Sequence, residues 1–330
     1  MPGKRATSSD VAREAGVSRA TVSYVLNGNR TQSIPQVTRD KVLDAAARLG
    51  YTPHAAARAL RSGRSNLVLL VVRDIPYGRN LGLLVDRLAE QVALRGLSLV
   101  VAQPGSADDS LRTTLGHVQP RLALSLFQLT ADEREALRGA GVPHVAAEAA
   151  VGLSASDELT SALQVHHLAE RGHTTIGHLG TDDPDVAAFS GPRRQGVRRG
   201  CLDLGLAAPR EASVPVPPHG SVEHVMEILR AWRSGPDPVT GVTAYNDYVA
   251  AMALQAASRL GLAVPGDLGV IGVDDDPLSM FLDPPLSSVR IDMVDVADRL
   301  LALGLALVEG EPAPPGLASQ SVQLVVRGST

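Results

Sequence analysis

The stretch TSSDVAREAGVSRATVSYVLN, residues 7–27, predicts two short helices joined by a tight turn. Its apolar residues recur at helical spacing on both sides of the turn and are Val11, Ala12, Ala15, Val22, Val25 and Leu26. Gly16 and Val17 supply the turn, and Ser18 is a residue type that caps the start of a helix. The spacing therefore indicates a helix-turn-helix.

The second predicted helix has an outward face opposite its apolar one. The outward positions follow an i, i+1, i+4, i+5, i+8 pattern and hold Arg19, Ala20, Ser23, Tyr24 and Asn27. Base edges in the major groove of DNA present donors, acceptors and thymine methyl groups. Arg19 and Tyr24 can hydrogen-bond to such edges, and Ala20 offers a methyl group. The face suits DNA binding, although helical hairpins with a glycine turn also occur in other proteins.

Charge is divided unevenly along the chain. Residues 1–65 hold eleven Lys and Arg against four Asp and Glu, a net charge of +7. The remainder holds twenty against thirty-one, a net charge of −11. A basic head on an acidic body is typical of a phosphate-binding module attached to a regulatory domain. A basic arm that contacts only solvent is the alternative.

Length and composition exclude several classes of protein. The 330 residues are enough for two or three domains, and only 3% are aromatic, so the cores must rest on Ala, Leu and Val. No run of about 18 apolar residues predicts a membrane span, and the N-terminus does not resemble a signal peptide, so we expect a cytoplasmic protein. Cys201 is the only cysteine, which excludes an internal disulfide and favours a small buried residue on a helix.

Two further helical segments follow the hairpin. Pro35 begins a helix whose apolar stripe, predicted to close a three-helix core, is Val42, Leu43, Ala46 and Leu49. Residues 54–65, HAAARALRSGRS, have high helix propensity but allow only a short helix. Because isolated helices need about 12 to 15 residues to be stable in water, this segment is expected to fold only when something holds it.

The stretches DVAREAGVSRATVSYVLNG (10–28) and RDKVLDAAARLGYTPHAAARALRSGRS (39–65) resemble the head and hinge of the LacI/GalR family of bacterial transcriptional repressors. Further marks follow in the family's order: HLAERGH (167–173), YND (245–247), VIGVDDDP (270–277), PLSSVR (285–290) and LVVRGST (324–330). The resemblance covers nearly the whole chain. It implies a lambda-repressor-like head, a bilobed periplasmic-binding-protein-like body of α/β class, and a homodimer or tetramer on a near-palindromic operator.

The resemblance also implies specific DNA contacts. In the family, paired hinge helices enter the minor groove and a leucine from each wedges into a base step, which matches Leu60 here. Arg58, Arg61 and Arg64 lie where phosphates are expected. The whole predicted DNA-binding set is Ser9, Ser18, Arg19, Ala20, Thr21, Ser23, Tyr24, Asn27, Thr38, Ala57, Arg58 and Leu60.

From residue 66 onward, apolar runs of strand length alternate with helical stretches. The predicted strands are 67–72, 97–102, 122–126, 175–179, 239–244 and a run beginning at 270, and the predicted helices are 81–95, 108–117, 131–140, one ending at 169–173, 193–206 and 247–260. Buried strands that alternate with helices indicate two parallel sheets covered on both faces.

The predicted domains follow from this alternation and from the family's fold. Residues 1–53 form the head, 54–65 the hinge and 66–330 the body. The chain is expected to cross between lobes near 156–160, 286–290 and 317–320. That division assigns 66–157 and 288–318 to the N-lobe, and 158–287 and 319–330 to the C-lobe.

A small polar effector, in first place a sugar, is expected in the cleft between the lobes, at the carboxyl ends of the strands. The predicted effector contacts are Asp74, Asn80, Arg193, Asn246 and Asp274, of which the last three match the family's polar ligand contacts. A guanidinium, an amide and a carboxylate can each engage neighbouring hydroxyl groups of a polyol. For Asp275 and Asp276, which follow in the same loop, we favour a solvated loop over ligand contact.

Several positions depart from the family's pattern. Residues 79–81 read Arg-Asn-Leu where the family often has a proline and two phenylalanines, and Ser156, Asp157 and Thr160 replace Asp-Asn and a following glycine. RLALSLFQL, residues 121–129, replaces the usual Asp-Gly run. These changes leave open a regulator with a non-sugar effector or with none.

Other classes of function fit the sequence less well. A solute-binding protein would not need the head and hinge, and a sugar-modifying enzyme would need a catalytic pair near Asp274. No phosphate-binding glycine loop or GxSxG motif is present, and we predict no cofactor. The histidines at 166, 167, 173 and 178 lack a completing carboxylate or cysteine pattern, which favours structural roles over metal binding.

Overall fold

Residues 1–66 and residues 67–330 form two structural units in the computed structural model. The structure describes residues 6–26, 34–51, 65–72, 78–103, 110–146, 153–216, 219–313 and 322–330. Within them, no helix is both long enough and apolar enough to cross a bilayer.

The first unit is a three-helix head made of α1 (Ser8–Ala15), α2 (Arg19–Leu26) and α3 (Gln36–Arg48). A capping box starts α1, because the Thr7 hydroxyl accepts a hydrogen bond from Asp10 N and the Asp10 carboxylate accepts one from Thr7 N. Gly16 ends α1 in the left-handed region, at a φ of 65°, where a side chain would be strained. The predicted helix-turn-helix is therefore present.

The core of the head is small and consists of Val11, Ala12, Val22, Val25, Val42, Ala45 and Ala46. The predicted stripe on α3 was partly wrong. Leu43 is 47% exposed and Leu49 36% exposed, whereas Ala45 is fully buried. The buried positions of α3 follow i, i+3, i+4 from Val42, and small residues at these positions let the three short helices pack closely.

The first lobe of the body is built on a four-stranded parallel sheet with the order β2-β1-β3-β4. Its elements, in chain order, are β1 (Leu67–Val71), α4 (Arg79–Ala93), β2 (Ser98–Ala102), α5 (Ser110–His117), β3 (Leu122–Ser125), α6 (Ala131–Gly139) and β4 (His144–Ala146). β1 and β3 occupy the centre of the sheet, and all of their side chains except Leu67 are buried. Helices on both faces explain why these strands read as continuous apolar runs.

The second lobe carries a six-stranded sheet with the order β10-β9-β8-β7-β5-β6, in which only the β10–β9 pair is antiparallel. Its elements are α7 (Leu153–Glu170), β5 (Ile176–Gly180), α8 (Ala187–Asp203), β6 (Arg210–Ser213), α9 (Val222–Arg233), β7 (Gly241–Ala244), α10 (Asp247–Arg259), β8 (Gly269–Val273), β9 (Ser287–Ile291) and β10 (Val322–Val325). A final helix, α11 (Met293–Glu309), returns to the first lobe and packs on α4 and β3. The two sheets match the predicted α/β body.

The lobe boundaries differ from the prediction by a few residues. Residues 156–160 are not a crossing, because they lie inside α7, which packs on α8 and on strands of the second sheet. Residues 288–291 belong to β9 and hence to the second lobe, so the second crossing falls between β9 and α11. The third predicted crossing, 317–320, lies outside the described residues.

Candidate DNA-binding surface and effector cleft

The outward face of α2 is partly exposed in its described residues. Val22 and Val25 are buried in the head, whereas Arg19 and Ala20 are exposed and Ser23 and Tyr24 are half-buried. The helix RATVSYVL contains no acidic residue. A guanidinium and a phenol are thus presented without a carboxylate on the same helix, which favours approach to a polyanion.

The remaining predicted DNA contacts of the head surround α2. The Ser18 hydroxyl accepts a hydrogen bond from Thr21 N at 3.0 Å and lies 2.9 Å from the Thr21 hydroxyl, so Ser18 caps α2. Ser9 is exposed on α1, and Thr38 is half-buried on α3. Asn27, Ala57, Arg58 and Leu60 lie outside the described residues, as does the predicted effector contact Asp74.

In the body, Arg193 on α8 is a buried cation held by groups of the chain itself. Its Nε donates to Asp157 Oδ1 at 2.8 Å and its Nη1 to the Tyr245 carbonyl at 2.8 Å. Its Nη2 lies 3.7 Å from Asp274 Oδ1. The guanidinium carbon also lies 4.9 Å from the centre of the Tyr245 ring and 5.9 Å from that of Phe189, which adds cation–π attraction.

Asp274 connects the two lobes. It follows β8 with a left-handed φ of 102°, and its Oδ1 accepts a hydrogen bond of 3.0 Å from Asn80 Nδ2, in the first turn of α4 in the other lobe. The rings of Phe127, beyond β3, and Phe189, on α8, make a second contact between lobes, edge to face with centres 5.2 Å apart. The carboxyl ends of strands from both sheets therefore meet at this point.

Burial sets the ionisation of the carboxyl groups in the cleft. It raises the pKa of Asp157 to about 6, although the neighbouring Arg193 opposes the shift. Burial also raises the pKa of Asp274, again against the attraction of Arg193. Burial disfavours the charge on Arg193, but Asp157 and Asp274 outweigh it and raise the pKa of the guanidinium. One cation, Arg193, therefore lies beside two carboxyl groups, Asp157 and Asp274, whose pKa values are raised.

Asn246 has a structural partner. Its side-chain oxygen accepts a hydrogen bond from Val249 N at 3.0 Å and caps α10. The structure brings Asn80, Arg193 and Asp274 together, and it connects Asn246 to them through its neighbour Tyr245, whose carbonyl binds Arg193. An Asn before a helix is a common capping residue, so the sequence allowed this second role.

The solvated-loop interpretation was wrong for Asp275. Asp275 is only 4% exposed, and its carboxylate accepts hydrogen bonds from Arg290 at 2.6 Å and from Arg327 at 2.5 Å. These two arginines hold the pKa of Asp275 low despite its burial. Asp276 is half-buried and starts a 3₁₀ helix, Pro277–Phe281, by accepting a hydrogen bond from Leu278 N. Sequence reasoning missed the role of Asp275 because it depends on tertiary contacts with arginines that follow later in the chain.

Sequence reasoning also missed Asp247, which is 4% exposed beneath the cleft. Its carboxylate accepts hydrogen bonds from the Ser288 hydroxyl at 2.6 Å, the Ser279 hydroxyl at 2.9 Å and Asp276 N at 2.6 Å. Burial raises its pKa to about 7, and the charge of Asp274 acts in the same direction. Asp247 therefore ties the loop that carries Asp274 to the start of α10.

Two of the histidines, His167 and His178, and the cysteine are buried in the body. His167 Nε2 lies 2.8 Å from the Thr330 hydroxyl, and His178 Nδ1 lies 3.0 Å from the Thr243 hydroxyl. Burial lowers the pKa of His178 to about 4. Cys201 is buried on α8, and burial raises its pKa to about 11. Within the described part of the chain, no three His, Cys, Asp or Glu side chains are placed to hold a metal ion.

A helix-turn-helix head and a bilobed α/β body, whose lobes meet at partly buried polar side chains, are the architecture of a class of DNA-binding transcriptional regulators. Two family models agree: "Bacterial regulatory proteins, lacI family" matches residues 7–54, and "Periplasmic binding protein-like domain" matches residues 165–330. The HTH-type transcriptional regulator GntR of Pseudomonas aeruginosa is 32% identical over 99% of this chain and 96% of its own length. The HTH-type transcriptional repressor CytR of Escherichia coli is 27% identical over 98% and 96%.

Solved structures show the same fold. The Lac repressor dimer bound to operator and the anti-inducer ONPF is 24% identical, with 99% of each chain covered and a TM-score of 0.78. The Lac repressor bound to ONPG in the repressed state is 25% identical, with 99% of this chain and 100% of that chain covered and a TM-score of 0.76. The chain belongs to the LacI family of DNA-binding transcriptional regulators, which are not enzymes.

Proposed function

We propose that this regulator binds a near-palindromic operator as a homodimer and that a small polar ligand in the cleft controls its affinity for DNA. The hydrogen bond between Asn80 and Asp274, beside Arg193, supports an effector site at this place. Three groups able to bind hydroxyls meet where the two lobes touch. A ligand at this place would contact both lobes and could therefore favour one arrangement of them over another.

The proposed operator contacts divide into two kinds. Arg19 and Tyr24 would read base edges in the major groove, and Ser9, Ser18, Thr21 and Thr38 would position the head on the phosphates. The exposure of Arg19 and the absence of acidic residues from α2 support the proposed reading of base edges. The hinge residues Ala57, Arg58 and Leu60 are proposed as minor-groove contacts because their positions match the family's hinge helix.

An exposed apolar patch supports the homodimer. Leu278 is 61% exposed, Met280 51% and Phe281 77%, and all three lie on or beside the same 3₁₀ helix. Tyr248 is 43% exposed, and partial burial, together with the charge of the nearby Asp276, raises the pKa of its phenol. Clustered large apolar side chains at the surface are typical of subunit contacts. A second copy of the chain is therefore the proposed partner of this patch.

One observation favours a second candidate, a regulator without a small-molecule effector. Arg193 already binds Asp157 and the Tyr245 carbonyl, and Asp274 already binds Asn80. A ligand would have to replace at least the Asn80–Asp274 bond. A sugar, with several hydroxyls on adjacent carbons, can offer both donors and acceptors in exchange.

Thermal-shift screening of sugars, nucleosides and phosphorylated metabolites with the full chain separates these candidates. A ligand that binds only the folded state should raise the free energy of unfolding by about 2.7 kcal/mol at a hundred times its Kd, and so raise the melting temperature. Asp274→Ala should abolish that shift and the ligand's effect on DNA binding, while the unliganded variant binds DNA as before. The exposed Glu227, changed to Ala, is the control.

Three outcomes are distinguishable. A shift that Asp274→Ala removes supports the effector site. A shift that survives in the variant places the ligand elsewhere. The absence of any shift, with DNA binding intact, favours the regulator without an effector.

A further inference from the structure

The face of α7 that points to the second sheet is polar and fully buried. Asp157, Thr160, Ser161 and Gln164 are each at most 3% exposed. Thr160 and Gln164 are four residues apart and Ser161 and Gln164 are three apart, so their side chains are neighbours on one helix face. Buried positions between a helix and a parallel sheet are normally apolar, as Leu168 is one turn further along α7.

Gln164 is the centre of this face. Its side-chain nitrogen lies within hydrogen-bond distance of three main-chain carbonyls: Ala244 at 3.1 Å, Ile271 at 3.1 Å and Gly272 at 2.9 Å. These carbonyls fix the orientation of the amide, because its oxygen would be repelled by them. They belong to the carboxyl ends of β7 and β8, from which Asn246 and Asp274 emerge. Gln164 therefore holds together the two strand ends that carry proposed effector contacts.

The hydrogen bonds around Gln164 are incomplete. An amide nitrogen has two hydrogens, so it cannot serve three carbonyls fully at once. Gln164 Oε1, Thr160 Oγ1 and Ser161 Oγ are buried and have no hydrogen-bond partner among the described residues. Neither hydroxyl makes the common bond to a carbonyl one turn earlier in its own helix. Leaving a buried hydroxyl or amide oxygen unpaired is costly, so three such atoms on one helix turn require an explanation.

We propose that this face of α7 forms an internal water-binding site, in which one or two water molecules join Gln164 Oε1 to the hydroxyls of Thr160 and Ser161. The chemistry of the site fits water. The two hydroxyls can donate or accept, the amide oxygen accepts, and the carbonyls of the strand ends accept as well. A water molecule there makes the three or so hydrogen bonds that buried water usually makes. The water molecule would also donate a hydrogen bond to a carbonyl at the ends of β7 and β8 that the two hydrogens of the Gln164 amide do not serve.

The sign of a stability change tests this proposal. Thr160→Val keeps the shape of the side chain and removes its hydroxyl, and Ser161→Ala removes the other. If water is bound, each change takes a partner from it, and the unfolding equilibrium constant of the full chain should rise about fivefold, as for one lost hydrogen bond. If the site is dry, each change removes an unpaired buried hydroxyl, and the denaturation midpoint should stay the same or rise.

Thr243→Val is the matched control. The Thr243 side chain is also fully buried, and its hydroxyl has protein partners, His178 Nδ1 and the Gly177 carbonyl. This variant should lose stability in either case and so calibrates the size of the effect. In the Thr160→Val, Ser161→Ala double variant, a shared water predicts losses that do not add.

A crystal structure of the full chain at high resolution gives the second readout. Electron density within hydrogen-bond distance of Gln164 Oε1 and both hydroxyls supports the proposal. Unchanged or higher denaturation midpoints, or a site free of density, would overturn it. Neither measurement needs an effector, so the outcome is independent of the proposed ligand.

Discussion

A single buried carboxyl group, that of Asp247, anchors the loop that follows β8. It receives hydrogen bonds from Ser279, Ser288 and the backbone of Asp276, so it anchors the residues that follow Asp274. Gly272 leaves room for it, because a Cβ at that position would lie 2.1 Å from Asp247 Oδ1. Close packing excludes water from this carboxyl group, which is why its pKa is about 7.

A pH dependence of stability follows from that shift. The folded-state pKa of Asp247 is about 7, above its ordinary value of 3.8, so the folded chain holds a proton that the unfolded chain has lost between these values. The free energy of unfolding should therefore fall as pH rises through this range, by at most about 1.4 kcal/mol per pH unit for one group.

Asp247→Asn should make the profile shallower, because the amide cannot ionise. Urea unfolding of the full chain at about pH 5 and about pH 8 measures this difference. The exposed Asp86, changed to Asn, is the control. Parallel profiles for the wild type and Asp247→Asn would show that Asp247 is ionised throughout and would contradict the assignment.

At the scale of elements, α7 and α8 lie unusually close together. A Cβ on Gly196 would lie 2.1 Å from the Glu158 carbonyl oxygen, and one on Gly200 would lie 3.2 Å from Ala162 Cα. This separation lets Arg193, on the same helix as both glycines, reach Asp157 on α7. The helix crossing thus positions the cation of the cleft.

Gly196→Ala should destabilise the body by about 1 to 3 kcal/mol, because backbone atoms of α7 cannot move aside cheaply. Gly82, inside α4 and not followed by a proline, has nothing within 4 Å of its Cβ position. Gly82→Ala should be neutral or stabilising, since alanine favours helix over glycine by up to about 1 kcal/mol. Equal effects of the two substitutions on the denaturation midpoint would argue against close helix packing.

The elements differ in how well the sequence predicts them. β1 and β8 are covered on both faces, so they appear as apolar runs bounded by polar residues. β6, with the sequence REAS, lies at the edge of its sheet and is partly exposed, so no apolar run marks it. The outward face of α2 was readable because a local helix fixes it. The partners of Asp275 were not, because they depend on tertiary contacts.

Among the described residues, specific side chains make the contacts between the two lobes of the body. Asn80 binds Asp274, Phe127 packs on Phe189, and Val273 joins the core of the first lobe. A ligand with different affinity for two arrangements of these contacts would shift the balance between them. In the proposed homodimer, with the family's hinge, that balance would set how tightly the two heads bind one operator. A ligand that weakens operator binding would be an inducer, and one that strengthens it would be a corepressor.

Selection of random duplex DNA by the purified full-length protein, repeated across a salt series, tests whether the head recognises a specific operator. We expect recovery of one near-palindromic sequence with an easily kinked centre, because the proposed homodimer would present two heads related by two-fold symmetry to two half-sites. Its affinity should fall with salt, because phosphate contacts release counterions, while its preference over random DNA persists. Recovery of unrelated sequences, bound equally well and only at low salt, would rule out operator recognition and show that the head is a nonspecific phosphate-binding module.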